Sequence, residues 1–243
     1  RGKYIARQDA DDISISDRIE TQVTFLENHP EIGILGSTCI LMDENGKNWG
    51  IQKMPQSDFH IRWTCLFKSP FLHPSVVVRK DCLDEHAIKY ADQFEVAQDY
   101  ELWTRLLKVT KGENLAVPLI YYRVHRQTTT SLKREKTKKI SKQIARAAIS
   151  SLLPVLLNEL SFEEVDEVQE LLYARTREFR DIRIDRYRAV CNYLRTWEIF
   201  ADECPFEDTE RKKVQRDVLV RACQMAFYPP FSRDLKYVID ILN

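Results

Sequence analysis

The 243-residue chain changes character near Ser131. Upstream, strand-like and helix-like pieces alternate. From Leu132 on, strand signals vanish and a helical apolar period takes over, with Lys, Arg and Glu on the polar faces. Such a change predicts an α/β unit over residues 1–131 followed by an all-α region over 132–243. In the first part, Tyr4–Arg7 reads as a short strand that runs into Asp9-Ala10-Asp11-Asp12. Ser16 reads as a helix N-cap, and Ile19, Val23 and Leu26 make one apolar helical face, which His29-Pro30 ends. Ile32–Met42 followed by Asp43-Glu44-Asn45-Gly46 predicts a hairpin. The β-branched run Val76–Val78 predicts a buried strand, Glu95–Lys108 a helix, and Leu115–Val124 a further strand. In the second part, helices are predicted over 134–157, 162–179, 183–203 and 207–227, broken at Pro154, Cys204-Pro205 and Tyr228-Pro229-Pro230. No repeat of fixed period is present.

Composition removes several classes of function. Apolar residues make up 44% and charged residues 30%, which excludes collagen-like, low-complexity and strongly disordered chains. The 37 basic residues balance 37 acidic ones, so no basic excess points to nucleic acid. Six dispersed cysteines, with no CxxC pair, read as the reduced thiols of a cytoplasmic protein. No apolar run approaches the roughly 18 to 20 residues of a membrane-spanning helix.

Four segments carry chemistry. Three carboxylates within Asp9–Asp12 repel one another unless a cation or donors lie among them, and a hard divalent ion is the simplest resolution. The alternative is a solvated acidic turn that helps start the next helix. Asp99, in Gln98-Asp99-Tyr100-Glu101-Leu102-Trp103, is either a positioned general base or an acid favoured by a helix N-terminus. Trp103, one turn on, points to the same side. His73, in His73-Pro74-Ser75, lines a pocket or hydrogen-bonds a loop. Tyr122-Arg123-Val124-His125 ends a strand with groups that suit a diphosphate or a further metal ligand; a surface histidine beside arginines is the plainer alternative.

In their order these segments resemble the DxD region and later motifs of family 2 glycosyltransferases, which have the GT-A fold. The resemblance covers residues 1 to 131. It rests on Arg7-Gln8-Asp9-Ala10-Asp11-Asp12-Ile13-Ser14, then Arg18-Ile19-Glu20, His73-Pro74-Ser75, Gln98-Asp99 with Leu102-Trp103, and Tyr122-Arg123-Val124-His125. It implies an inverting transfer of a sugar from a nucleotide sugar, a UDP-sugar above all, to a glycan or lipid-linked acceptor in polysaccharide synthesis. By the same resemblance Asp9 and Asp11 hold Mn²⁺ or Mg²⁺ on the diphosphate, with His125 completing the metal or diphosphate site and Arg123 beside it. Asp99 becomes the base that deprotonates the acceptor, and Gln98, Trp103 and His73 become acceptor contacts.

Two departures stand out. Gln98 occupies a place where the family often has Glu, which predicts altered acceptor recognition. The strands that precede the DxD region in the family have no counterpart ahead of Tyr4, so the chain is expected to be part of a longer polypeptide and to bind nucleotide weakly by itself. The rival reading is a non-catalytic helical interaction module carrying a degenerate transferase remnant. The basic segment 133–149, with Ile140, Ile144, Ala148 and Ile149 opposite its lysines, can lie on an anionic membrane at the inner face of the cell, or pack as a solvated helix.

Overall fold

A computed structural model of the chain describes residues 2–124, 133–173 and 184–227. It divides into two compact units, one up to Ala145 and one from Arg146. The expected α/β part and helical part are both present.

The first unit is built on a mixed sheet. In chain order its strands are β1 (Tyr4–Ala6), β2 (Ile13–Ser14), β3 (Ile32–Met42), β4 (Asn48–Gln52), β5 (Val77–Arg79) and β6 (Lys111–Arg123). They lie in the order β1-β5-β3-β6-β2, with β4 paired to β3. Among the described strands, β3 and β6 are parallel and the other pairs antiparallel. The β3–β4 hairpin is the one expected. Asp43 Oδ1 accepts from Asn45 N at 2.9 Å and Lys47 N at 2.8 Å, and Gly46 turns the chain at φ +82°. Strand β6 begins at Lys111, ahead of the expected Leu115, because its first residues pair with Ile32–Gly36.

Alternate residues of β3 and β5 feed two cores. Ile34, Val76 and Val78 pack with Ile61 and Cys65 of α2 (Asp58–Cys65) and with Tyr100, Trp103 and Leu106 of α4 (Gln98–Leu106). Leu35 and Val77 pack with Leu26 of α1 (Arg18–Asn28). A short helix, α3 (Lys80–Glu85), follows β5.

Helix α1 differs from expectation. Its cap is Asp17, not Ser16, and that side chain makes no capping bond. Ile19 is 48% exposed, while Arg18 and Gln22 are buried with Leu26. The helix is rotated because its polar ends find backbone partners inside. Gln22 Nε2 donates to Leu35 O at 3.2 Å and Ser75 O at 2.9 Å, and Arg18 Nε donates to Gln22 Oε1 at 3.0 Å. Buried polar groups so satisfied cost the fold little.

Helix α5 runs over Arg134–Leu152 and stops before Pro154, where a 3₁₀ turn, Pro154–Asn158, replaces the last part of the expected 134–157 helix. Ile140 and Ile144 join the core of the first unit, which carries that unit past residue 131 to Ala145. The second unit contains α6 (Phe162–Tyr173), α7 (Arg186–Glu203) and α8 (Asp208–Phe227). Ser161 and Glu164 form a reciprocal capping box at the start of α6, and Asp185 caps α7 through Arg188 N. The expected extension of α6 to 179 and the break at Tyr228-Pro229-Pro230 lie outside the described residues. All six cysteines are free thiols. Among the described residues, no helix is long and apolar enough to cross a membrane.

The rotated face of α1 makes a prediction. Arg18→Met leaves several buried acceptors without a donor and should lower stability by roughly 2 to 4 kcal/mol in urea denaturation. A loss below about 1 kcal/mol would show that the network contributes little.

Candidate active site

The acidic segment is a turn between β1 and β2, closed by Asp12 N donating to Asp9 O at 3.4 Å. Its backbone is held from below. Gln8 Nε2 donates to Asp9 O and Asp12 O, both at 3.0 Å. Gln8 Oε1 in turn accepts from Ser14 Oγ at 2.6 Å and Arg18 Nη1 at 2.8 Å, while Arg18 Nη2 donates to Arg7 O at 2.7 Å. One buried arginine therefore fixes the shape of the turn through a glutamine. Gln8 and Arg18 are among the residues that carry the family resemblance, but nothing in the sequence marks this bracing role.

Strand β6 holds the other side. Arg123 N donates to Asp12 Oδ1 at 2.8 Å and Arg123 Nε to Asp11 O at 2.8 Å. Its Nη1 donates to Asp43 O and Glu44 O at 3.1 and 3.0 Å. Arg123, expected to face the diphosphate, thus clamps the acidic turn to the β3–β4 turn. His125 lies outside the described residues.

Burial pushes the Asp12 carboxyl up to about 6, with the charges of Asp11 and Asp9 adding to the rise and the Arg123 bond opposing it. Its Oδ2 is buried without a hydrogen-bond partner. Burial, helped by the same three carboxylates, drives the nearby Tyr122 hydroxyl to about 12. This is an electronegative site that a cation would relieve. Among the described residues, no three His, Cys, Asp or Glu side chains converge into a complete metal set. The residues present fit an Mg²⁺- or Mn²⁺-type ion held by one or two carboxylates, with substrate phosphates and water supplying the rest.

The second element is α4, entered through Ala97 in the left-handed conformation at φ 56°, ψ 21°. Gln98 is exposed and Asp99 half-buried in its first turn. Trp103, expected beside Asp99 as an acceptor contact, is 1% exposed; it is a core residue, edge-on to Phe71 at 5.8 Å and to His73 at 6.1 Å. Its four-residue spacing from Asp99 serves the buried side of the helix.

His73 joins the two elements. Its Nε2 lies 3.3 Å from Arg7 Nε and 2.8 Å from the Tyr90 hydroxyl. Arginine can only donate, so Nε2 accepts and the proton of the neutral ring sits on Nδ1. Arg7 also pairs with Asp9, Nη2 to Oδ1, at 2.8 Å. Burial lowers the His73 pKa, Asp99 and Asp9 work against that shift, and Arg7 adds to it. The carboxylates of the turn and of α4 thus act on the same imidazole. Tyr90, which no motif marks, is the further residue of this constellation.

With that geometry in place, the comparisons with known proteins are consistent. The chain is similar to glycosyltransferases. It is 28% identical over 183 residues to an uncharacterized glycosyltransferase of Haemophilus influenzae, across 70% of this chain and 57% of that protein. It is 36% identical over 105 residues to the amylovoran biosynthesis glycosyltransferase AmsE of Erwinia amylovora, across 43% of this chain and 38% of that one. The chain thus spans little more than half the length of the first relative and less of the second. Among solved structures, S. aureus TarS in complex with UDP-GlcNAc aligns over 93% of this chain and 64% of its own, with a TM-score of 0.50 and 14% identity, a likeness of fold. No family model matches the chain.

The raised Asp12 pKa fixes the sign of a pH effect. The folded protein holds this proton more tightly than the unfolded chain, whose aspartates titrate near 3.8, so stability falls as pH rises from about 4 to about 6. Asp12→Asn, which can still accept from Arg123 N, should raise the melting temperature at pH 7.5, with a gain that shrinks towards zero below pH 4. An equal gain at both pH values would contradict the raised pKa.

Proposed function

We propose that the protein is a metal-dependent, inverting glycosyltransferase of the family 2 type. It moves a sugar from a nucleoside diphosphate sugar, with UDP the expected carrier, to a hydroxyl of a glycan or lipid-linked acceptor. What supports this reading is the chain of contacts from Asp9 through Arg7 to His73, an imidazole that also feels the charge of the half-buried Asp99. The relatives support it. AmsE is named for amylovoran biosynthesis, so cell-surface polysaccharide is the product class we infer.

Each residue has a task in this scheme. Asp11 and Asp9 would hold the divalent ion; Asp9 is paired with Arg7 in this structure. When bound, Mn²⁺ or Mg²⁺ neutralises charge on the departing diphosphate. Asp99 accepts the proton of the acceptor hydroxyl as that oxygen attacks the anomeric carbon and the carbon–oxygen bond to the diphosphate breaks. One displacement inverts the configuration. The Gln8–Arg18 brace keeps the turn from rearranging as charge builds, which is the benefit of a preorganised site. His73, neutral and half-buried, links the acidic turn to the segment that carries Tyr90.

The test is transfer from a nucleotide-sugar panel by the natural full-length protein, with and without Mn²⁺. Asp99→Asn should lower kcat by roughly 10² to 10⁴ with the donor KM little changed. Asp11→Ala should abolish the response to Mn²⁺. Wild-type turnover in both variants would end the proposal.

In this reading the protein works in the cytoplasm and touches the inner face of the membrane at most through 133–149. Ile140 and Ile144 are committed to the core, and Lys133 and Lys136 pair with Glu95, at 3.6 and 2.5 Å. Adsorption would then rest on charge alone. Sedimentation with phosphatidylserine vesicles should show weak binding that 0.5 M salt or the Lys138→Glu, Lys139→Glu, Lys142→Glu triple change removes. Salt-resistant binding would mean that an apolar face inserts.

A further inference from the structure

The segment between α3 and α4 contains no regular element, yet it is held firmly. Ala87 at φ 50° and Ala97 at φ 56° bracket it, the two non-glycine residues with positive φ among those described. Left-handed alanine is strained and persists only where the surroundings impose it. One such constraint is visible. Arg105 forks onto Glu101 at 2.6 and 2.7 Å and, through Nη2, donates to Lys89 O at 2.6 Å. This ties the backbone next to Tyr90 to α4, the helix that carries Asp99.

Tyr90 then reaches back to His73, hydroxyl to Nε2 at 2.8 Å, with the two rings 6.1 Å apart and 71° inclined. Through Arg7 the same nitrogen connects to Asp9. The phenol is therefore the last link of a chain from the acidic turn, on a segment anchored to the base helix. The residue is 43% exposed. Burial, Asp99 and Asp9 all keep the hydroxyl protonated, with Arg7 opposing them, so it donates to His73 and retains a free lone pair. An exposed aromatic face with an oriented hydroxyl matches a pyranose ring, which offers an apolar C–H face and a rim of hydroxyl donors.

We propose that Tyr90 is an acceptor-binding residue, packing its ring against the acceptor sugar and accepting from one of its hydroxyls while His73 fixes its orientation. The proposal rests on the sugar-transfer reading and deepens it by naming the acceptor subsite. It accounts for the strain at Ala87 and Ala97 as the cost of presenting this side chain.

The test uses p-nitrophenyl glycosides of N-acetylglucosamine, glucose and galactose as acceptor probes, with labelled UDP-sugars and the full-length protein. Tyr90→Phe should raise the acceptor KM about threefold to tenfold, the value of one hydrogen bond. Tyr90→Ala should raise it more than tenfold, and in both the donor KM should move less than twofold. If both variants keep the wild-type acceptor KM while Asp99→Asn is inactive, the Tyr90 assignment is wrong and the base assignment stands. If the donor KM rises in parallel, Tyr90 belongs to the donor side and the proposal is also overturned. Should the wild type transfer to none of the probes, saturation-transfer NMR with the same glycosides decides. A glycoside signal that the wild type gives and Tyr90→Ala does not supports the subsite; an equal signal in both, or none with the wild type, overturns it.

Discussion

The Arg18 guanidinium lies beneath the Asp9–Asp12 turn with 1% exposure, and the shape of the candidate site depends on where its hydrogen bonds go. They reach Gln22, Gln8, Ser14 and the carbonyl of Arg7. Burial lowers its pKa, while the charge of Asp12 offsets part of that penalty. A buried cation without a bonded carboxylate is expensive unless its donors are satisfied, and here backbone and amide oxygens satisfy them. Through Gln8 the same charge orders two carbonyls of the acidic turn. Through Gln22 it reaches Ser75, at the base of the segment that carries His73. The acidic turn and the segment that carries His73 are thus parts of one polar network.

That network explains how three carboxylates persist in four residues. With the turn backbone fixed and Arg123 bonded to Asp12 and Asp11, mutual repulsion cannot be relieved by the chain moving away. Burial, with the repulsion of Asp11 and Asp9 added to it, raises the Asp12 pKa and leaves a buried oxygen without a partner. A turn held in this state would be relieved by a cation. Asp99 lies in the first turn of a helix that is entered through a left-handed alanine. Strain at that point is consistent with a position set by function rather than by packing.

Much of the plan was legible in the residues. The hairpin after Met42 follows from Asp43–Gly46, the buried strand from Val76–Val78, and the acidic turn from its place just after a short apolar run. What failed did so for a common physical reason. Periodicity counts apolar residues, so it assigned Ile19 to the inside of α1 and missed Arg18 and Gln22, whose polar ends meet backbone groups revealed only by the tertiary fold. The same bias in reverse made Trp103 look like a partner of Asp99, when the apolar side of α4 claims it. Arg123 was legible as a cation beside the acids, but not as a clamp, because Asp43 and Glu44 come near it only through the parallel pairing of β3 and β6. Tyr90 left no trace, since irregular segments carry no period.

The acidic turn and the Asp99 helix should serve a single bound nucleotide sugar, and every assigned role requires it. Paramagnetic broadening of ¹H–¹⁵N resonances by Mn²⁺ added with UDP tests this most directly. A single shared site predicts saturable broadening centred on Asp9–Asp12 and extending to His73, Tyr90 and the first turn of α4, abolished by Asp11→Ala. Broadening centred elsewhere, or unaffected by Asp11→Ala, would contradict it.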